Sequence, residues 1–362
     1  MGTITRSFAN NITSGGTFDA TDLTGTIPAS NIADASVTNI TAVPSLTAVS
    51  TVASDPPSPD AGQVWYNTTD KVLRAYVLGA GSWASGGNLN TARQSAGQVG
   101  GTSDGLLFSG SAAPGYVGST EEYNGSAWTE VNDLNTARAY VGQAGTPTQA
   151  KCISGYDIPN TAKVEDWNGT SWSETTDVNS ARQSMGSNGT YTSAIMYGGY
   201  DYAPTVTGKT ETWNGSAWTE VNDLNAGRYL LGGVGADSTS ALAFGGDTGG
   251  RVNSTEEWNG TSWTEVNNLN QVKSNLKGAG ATNTSALAFG GFTTPPDTDL
   301  ATTEEWNGTS WTEVNDMSTA RRNHAGSGTA NNALATSGEN PSLTAATEEW
   351  AVANVTTDLG VS

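Results

Sequence analysis

The chain has one cysteine and one histidine, Cys152 and His324, among 362 residues. An internal disulfide is therefore excluded, and no Cys/His metal cluster can be assembled. Both residues read as structural: a lone Cys behaves as a small hydrophobe, and a Cys–His dyad needs partners that the sequence does not bring together. Charge is scarce and one-sided, with 14% charged residues and a formal net charge of −20. Nucleic acid and anionic membrane surfaces repel such a polyanion, so no nucleic-acid partner is expected. Long apolar runs are missing too. Nowhere do about 18 apolar residues follow one another, so no membrane insertion is expected. The opening "MGTITRSFANNITSGG" has no apolar run of signal-peptide length. Without such a signal, the twelve Asn-x-Ser/Thr triplets are by-products of a repeated turn. P-loop, zinc and EF-hand spacings are also lacking, so neither cofactor nor metal is expected.

What the chain has is repetition. "STEEWNGTSWTEVN" (254–267) returns with small changes at 120–132, 164–176, 210–222 and 303–315. The second Trp of the phrase falls at 83, 128, 172, 218, 263 and 311, a period of 44 to 48 residues. The first aromatic is Tyr123, Trp167, Trp213, Trp258, Trp306 or Trp350. A basic residue precedes each unit: Arg93, Arg138, Arg182, Arg228, Lys273 and Arg321. Between base and aromatic lies a short apolar run with a small-residue ending, such as "LAFGG" at 242–246 and 287–291. Self-similarity at a fixed period outranks other signals.

Each unit has the grammar of four short antiparallel strands. The first follows the base, as in "RYLLGGVG"; the second is the alternating "SALAFGG"; the third and fourth flank the Asn-Gly turn, a strong hairpin signal. A four-residue loop at Asn259–Ser262 sets Trp258 opposite Trp263, whereas a two-residue loop pairs Glu256 with Trp263, and the sequence leaves both registers open. No segment keeps a 3.6-residue period, so almost no helix is expected. Four-stranded units of about 45 residues repeated radially make a β-propeller. The expected fold is all-β with six four-stranded blades; seven require the strand of Trp65 to begin a partial one. The last unit ends at "TEEWAVANVTTDLGVS" without a second Trp, while Trp83 stands one period before Trp128. The Trp83 strand should therefore complete the sixth blade and close the ring, leaving no free sheet edge. The tryptophans are expected to pack between blades, and the bases to pair with the repeated glutamates within them.

The order of Gly doublet, aromatic, Trp and downstream Arg resembles the kelch repeat over residues 88–350. Three units keep the full Gly-Gly, and the aromatic-to-Trp spacing is shorter than the family norm. The expected organisation is an extended amino-terminal segment (1–60), the propeller (61–351) and a carboxy-terminal tail (352–362). Within the first segment, "FDATDLTGTIPASNI" is similar to phrases in bacteriophage tail-fibre shafts, and "GQVWYNTTDKVLRAY…GSW" to virion segments preceding kelch-like repeats. That resemblance implies a virion protein of tail-fibre type, made in the host cytoplasm and carried on the particle. Its first 60 residues would dock on other virion or tail proteins or form a homo-trimer. Its propeller would meet a host-surface glycan or protein.

Where the units disagree is the connection between the second and third strands: 111–119, 156–163, 200–209, 247–254, 292–302 and 339–346. Such loops are free to carry binding. They hold the candidate ligand-binding residues Tyr116, Tyr156, Asp157, Tyr200, Asp201, Tyr202 and Phe292, rings beside carboxylates that suit sugars. Structural pinning of the loops by the same rings is the alternative. No catalytic residue is expected. "NGTSW" lacks the Asp of a sialidase Asp-box, and one His excludes the kelch-fold copper oxidases. The alternatives are an intracellular kelch-type interaction module and a fibre with glycan-hydrolysing, sialidase-like activity.

Overall fold

The structure, a computed structural model, describes residues 49–201 and 205–359. Residues 1–48 of the attachment segment expected over 1–60, and Tyr202, lie outside the described residues. The described chain forms two compact units. The larger, Gly81–Ala351, is a ring of six four-stranded antiparallel blades without helix among the described residues. The first blade comprises Gly97–Gly101, Asp104–Phe108, Thr120–Tyr123 and Trp128–Val131, counted from the axis outward. The next four blades repeat that order. The sixth takes Ala325–Thr329, Asn332–Thr336 and the beginning of Thr347–Leu359, and its outermost strand is the end of Val72–Ser85. The strand of Trp83 thus closes the ring, as its spacing predicts.

Trp65 belongs to the smaller unit, which explains why the ring has six blades and not seven. There Ser50–Val52 lies parallel to Val64–Asn67, itself antiparallel to the start of Val72–Ser85. Residues 352–359 continue the strand begun at Thr347. This small sheet is organised about one carboxylate. Asp55 accepts from the fully buried Trp65 indole (2.9 Å), the Asn67 amide (3.0 Å) and the Arg74 guanidinium, which also reaches Asp358 (2.7 Å). Those donors, Arg74 first, hold the Asp55 carboxyl down to about 2.

In every hairpin the four-residue loop is the register adopted: Trp258 faces Trp263, and Trp306 faces Trp311. The Asn therefore serves as more than a residue tolerant of positive φ. Asn259 Oδ1 accepts from the N–H groups of Thr261 and Ser262, both at 2.9 Å, while Gly260 takes the positive φ of 90°.

All twelve tryptophans are buried. Each outer Trp stacks on the inner aromatic of its own blade, as Trp258 on Trp263 at 5.4 Å. Four of the six also meet the preceding blade edge-on: Phe108–Trp172, Tyr197–Trp263, Phe244–Trp311 and Phe289–Trp83 lie 4.8 to 5.0 Å apart. The indole N–H of the outer Trp then donates across the blade boundary to a Thr hydroxyl opening the preceding blade's third strand. The pairs are Trp83–Thr303, Trp128–Thr347, Trp172–Thr120, Trp263–Thr210 and Trp311–Thr255, at 3.0 to 3.1 Å. One boundary breaks the rule. The second blade carries Val164 at that position, and the Trp218 indole N–H is buried without a partner.

Each base meets the glutamate of its own blade in full burial: Arg93–Glu121 (2.9 Å), Arg138–Glu165 (2.6 Å), Arg182–Glu211 (3.1 Å), Arg228–Glu256, Lys273–Glu304 (2.8 Å) and Arg321–Glu348. The second carboxylate oxygen caps the loop leading in from the previous blade. Asn90, Asn135, Asn179, Asn225 and Asn270 donate backbone and side-chain N–H to it, and in the sixth blade the backbone of Ser318 does so. Buried ion pairs contribute little net stability but cost heavily if half-removed, so this repeated pair fixes where each blade begins.

Candidate functional site

At one end the axis is sealed by backbone. Two residues after each base stands a non-glycine residue with φ between 53° and 58°: Ser95, Tyr140, Ser184, Leu230, Asn275 and Asn323. Each N–H donates to the carbonyl of its counterpart in the preceding blade, at 2.7 to 3.3 Å. Ser95 donates to Asn323, so six bonds run round the axis and return to their start. Left-handed conformation costs a non-glycine residue about 1–2 kcal/mol, and the closed circuit of backbone bonds offsets it.

At the other end the innermost strands enclose an open cavity of about 500 Å3. Its lining is glycine, alanine, small polar side chains and two valines, Val99 and Val234, and Asp104 is its only carboxylate. Gln143 crosses it, accepting from the Gln98 N–H (2.8 Å) and donating to the Gly326 carbonyl (3.0 Å).

The variable loops gather round the sealed end. The residue before each axial residue bridges to its own blade's loop: Gln94 to Ser111, Ala139 to Tyr156, Gln183 to Tyr200, Tyr229 to Asp247, Ser274 to Phe292 and Arg322 to Glu339. The six loops are thereby set around one centre. Tyr116 and Tyr156, from the first and second blades, pack edge-to-face at 5.5 Å. Tyr200 packs on Tyr229 of the next blade at 5.5 Å, and the Asn160 amide donates to the Tyr200 carbonyl at 2.9 Å. The Phe292 ring lies between the Arg251 and Arg322 guanidinium groups, at 4.3 and 4.5 Å. Asp201 pairs with Arg182 through backbone and accepts from the Thr205 hydroxyl (3.1 Å), and Asp157 is exposed.

The candidate residues therefore come together in two groups rather than one pocket. Tyr116, Tyr156, Asp157, Tyr200 and Asp201 span the first three blades, and Phe292 stands apart in the fifth. Their rings are half-buried, each with one side spent against a neighbouring loop. Tyr229, Arg251 and Arg322 complete the face and escape sequence reasoning, because they lie outside the aromatic positions of the loops. Ile158 escapes as well. At 74% exposure it is the only large apolar side chain exposed on the ring among the described residues, between Asp157 and Pro159 at a loop tip. Cys152 is fully buried, and burial pushes its thiol up to about 11, which leaves it inert.

These features define a six-bladed β-propeller with a uniform scaffold and one variable, ring-bearing face. No family model matches the chain, and no curated protein is similar to it.

Proposed function

We propose that this chain is a non-catalytic recognition propeller whose loop-bearing end binds a surface ligand. In particular, it is proposed to be a bacteriophage virion protein of tail-fibre type, meeting a host-surface glycan or protein through that end. The observation that carries the reading is the division of labour within each blade. Turns and ion pairs repeat from blade to blade, while the loops around the sealed axis differ and hold Tyr116, Tyr156, Tyr200, Phe292 and the exposed Ile158. Half-exposed rings beside amides and carboxylates suit sugar faces and hydroxyls, and an exposed apolar tip is a natural contact anchor. A glycosidase needs two carboxylates flanking the scissile bond; the large cavity at the opposite end offers Asp104 alone, so that cavity does not support hydrolysis. The fibre-like phrases within residues 1–60 support attachment through that segment, to another virion protein or to two further copies of the chain.

Ile158→Glu tests the reading with little effect on the scaffold, since the side chain is 74% exposed. Purified wild-type protein should bind host cells and compete with phage adsorption. Ile158→Glu, and more strongly Ile158→Glu with Tyr116→Ala, should lose that binding at least tenfold while Ile158→Glu melts as wild type does. Undiminished binding by both variants, or binding lost only when the Asn-Gly turns are altered, refutes the assignment of the face.

A further inference from the structure

Two buried polar side chains without hydrogen-bond partners and one half-buried lysine line a single small cavity at the axis. The six axial residues and the side chains that follow them enclose a cavity of about 30 Å3, room for one or two water-sized species. His324 lines it, is fully buried, and has no hydrogen-bond partner for either ring nitrogen. The Phe289 carbonyl lies near the imidazole but outside hydrogen-bonding geometry. Ser95 lines it too, 7% exposed, with its Oγ also unpartnered. The third group is Lys277. It occupies the first position of its blade's inner strand, where the other blades carry Gly97, Gly142, Gly186, Gly232 and Ala325. Among the described residues no carboxylate acts on its ammonium, although acids outnumber bases 35 to 15 in the chain. A half-buried cation beside a buried, unsatisfied imidazole and hydroxyl leaves this cavity positive and short of acceptors, an arrangement that an entering anion relieves.

We propose that this cavity binds one small monovalent anion of halide size, held by the Lys277 ammonium, a His324 N–H and the Ser95 hydroxyl. The apolar remainder, including Leu231 and Leu276, limits size and excludes the tetrahedral oxyanions. Arg321, adjacent to His324, adds positive potential although its own partner is Glu348. Burial alone draws Lys277 down to about 8, and burial with Arg321 and Lys277 holds His324 well below its usual value, both consistent with a cationic cavity awaiting an anion. The inference stands independently of what the loops bind.

Crystals of the full chain soaked in sodium bromide should show an anomalous peak in this cavity. In parallel, wild type and Lys277→Gly are melted in sodium chloride and in sodium gluconate at equal ionic strength. The variant restores the residue that four other blades carry, so it should fold. General salt effects act on both proteins, so only a bound ion produces a difference between them. The expected result is a gain of a few degrees in chloride for wild type that Lys277→Gly lacks. A cavity holding water alone, or the same chloride response from both proteins, overturns the proposal.

Discussion

Val164 gives the ring a built-in mutational experiment. Five blade boundaries carry a Trp indole bonded to a Thr hydroxyl, and the boundary between the second and third blades leaves the Trp218 N–H buried and unpaired. An orphaned buried donor costs about 1–3 kcal/mol, and a made hydrogen bond contributes about 0.5–1.5 kcal/mol net. Val164→Thr exchanges one buried methyl for a hydroxyl, a loss of about 0.8 kcal/mol of apolar transfer. The new hydroxyl has the acceptor role seen at Thr210, whose Oγ1 also reaches the Gly208 carbonyl at 3.4 Å. The expected balance is a gain of about 1 kcal/mol, or about 2 °C in Tm for a ring of this size. Thr210→Val is the mirror image: it strands Trp263 and should cost about 1–3 kcal/mol. Trp218→Phe should cost more in the Val164→Thr background than in wild type, because only there does the indole N–H have a bond to lose. Urea unfolding of wild type and these four variants measures all of this. Two results would refute the reasoning: Val164→Thr destabilising as much as Thr210→Val, or a Trp218→Phe cost indifferent to residue 164.

The closure strand and the lone histidine each yield a further prediction. Removing residues 1–60 should leave a folded ring, whereas removing 1–88 takes away Trp83, which is buried against Phe289 and Trp350 and bonded to Thr303. Losing a buried Trp alone costs about 3–5 kcal/mol, so equal thermal midpoints for the two truncations would disprove closure by this strand. His324 sits where the fourth and fifth blades carry Leu231 and Leu276, and its folded-state pKa lies well below 6.5. Below pH 6.5 the unfolded chain takes up a proton that the folded ring refuses, so stability is lost as pH falls from there toward the folded value. His324→Leu should therefore gain on wild type in Tm as pH drops from 7 to 5, and a constant gap between the two would contradict the sign.

Periodicity exposed the blades, their strand order and the strand borrowed at Trp83, because a radial fold repeats its constraints once per blade. The pairing of Arg93 with Glu121 and its five counterparts was legible for the same reason. The register of the Asn-Gly loop was not, since both registers satisfy the alternation and the choice rests on Asn259 Oδ1 reaching two backbone donors. Nor were the axial residues: Ser, Tyr, Ser, Leu, Asn and Asn share a backbone conformation and no side-chain chemistry, because their bonds are made by backbone alone. The face is the least legible part. Sequence placed Tyr116 and Tyr156 on separate loops, and their contact depends on the angle between neighbouring blades, which no local pattern encodes.

The closing strand also decides how the ring takes a pull. Force arriving along the chain from its amino-terminal side enters the ring at Gly81, in the same strand as Trp83 and two residues before it. That side chain grips the fifth blade through Thr303 and Phe289, and the sixth through Trp350. Tension is thus divided between two blades before any strand is peeled, and the six-bond backbone circuit at the axis ties those two to the other four. Peeling the closing strand from the ring therefore means breaking contacts with two blades at once.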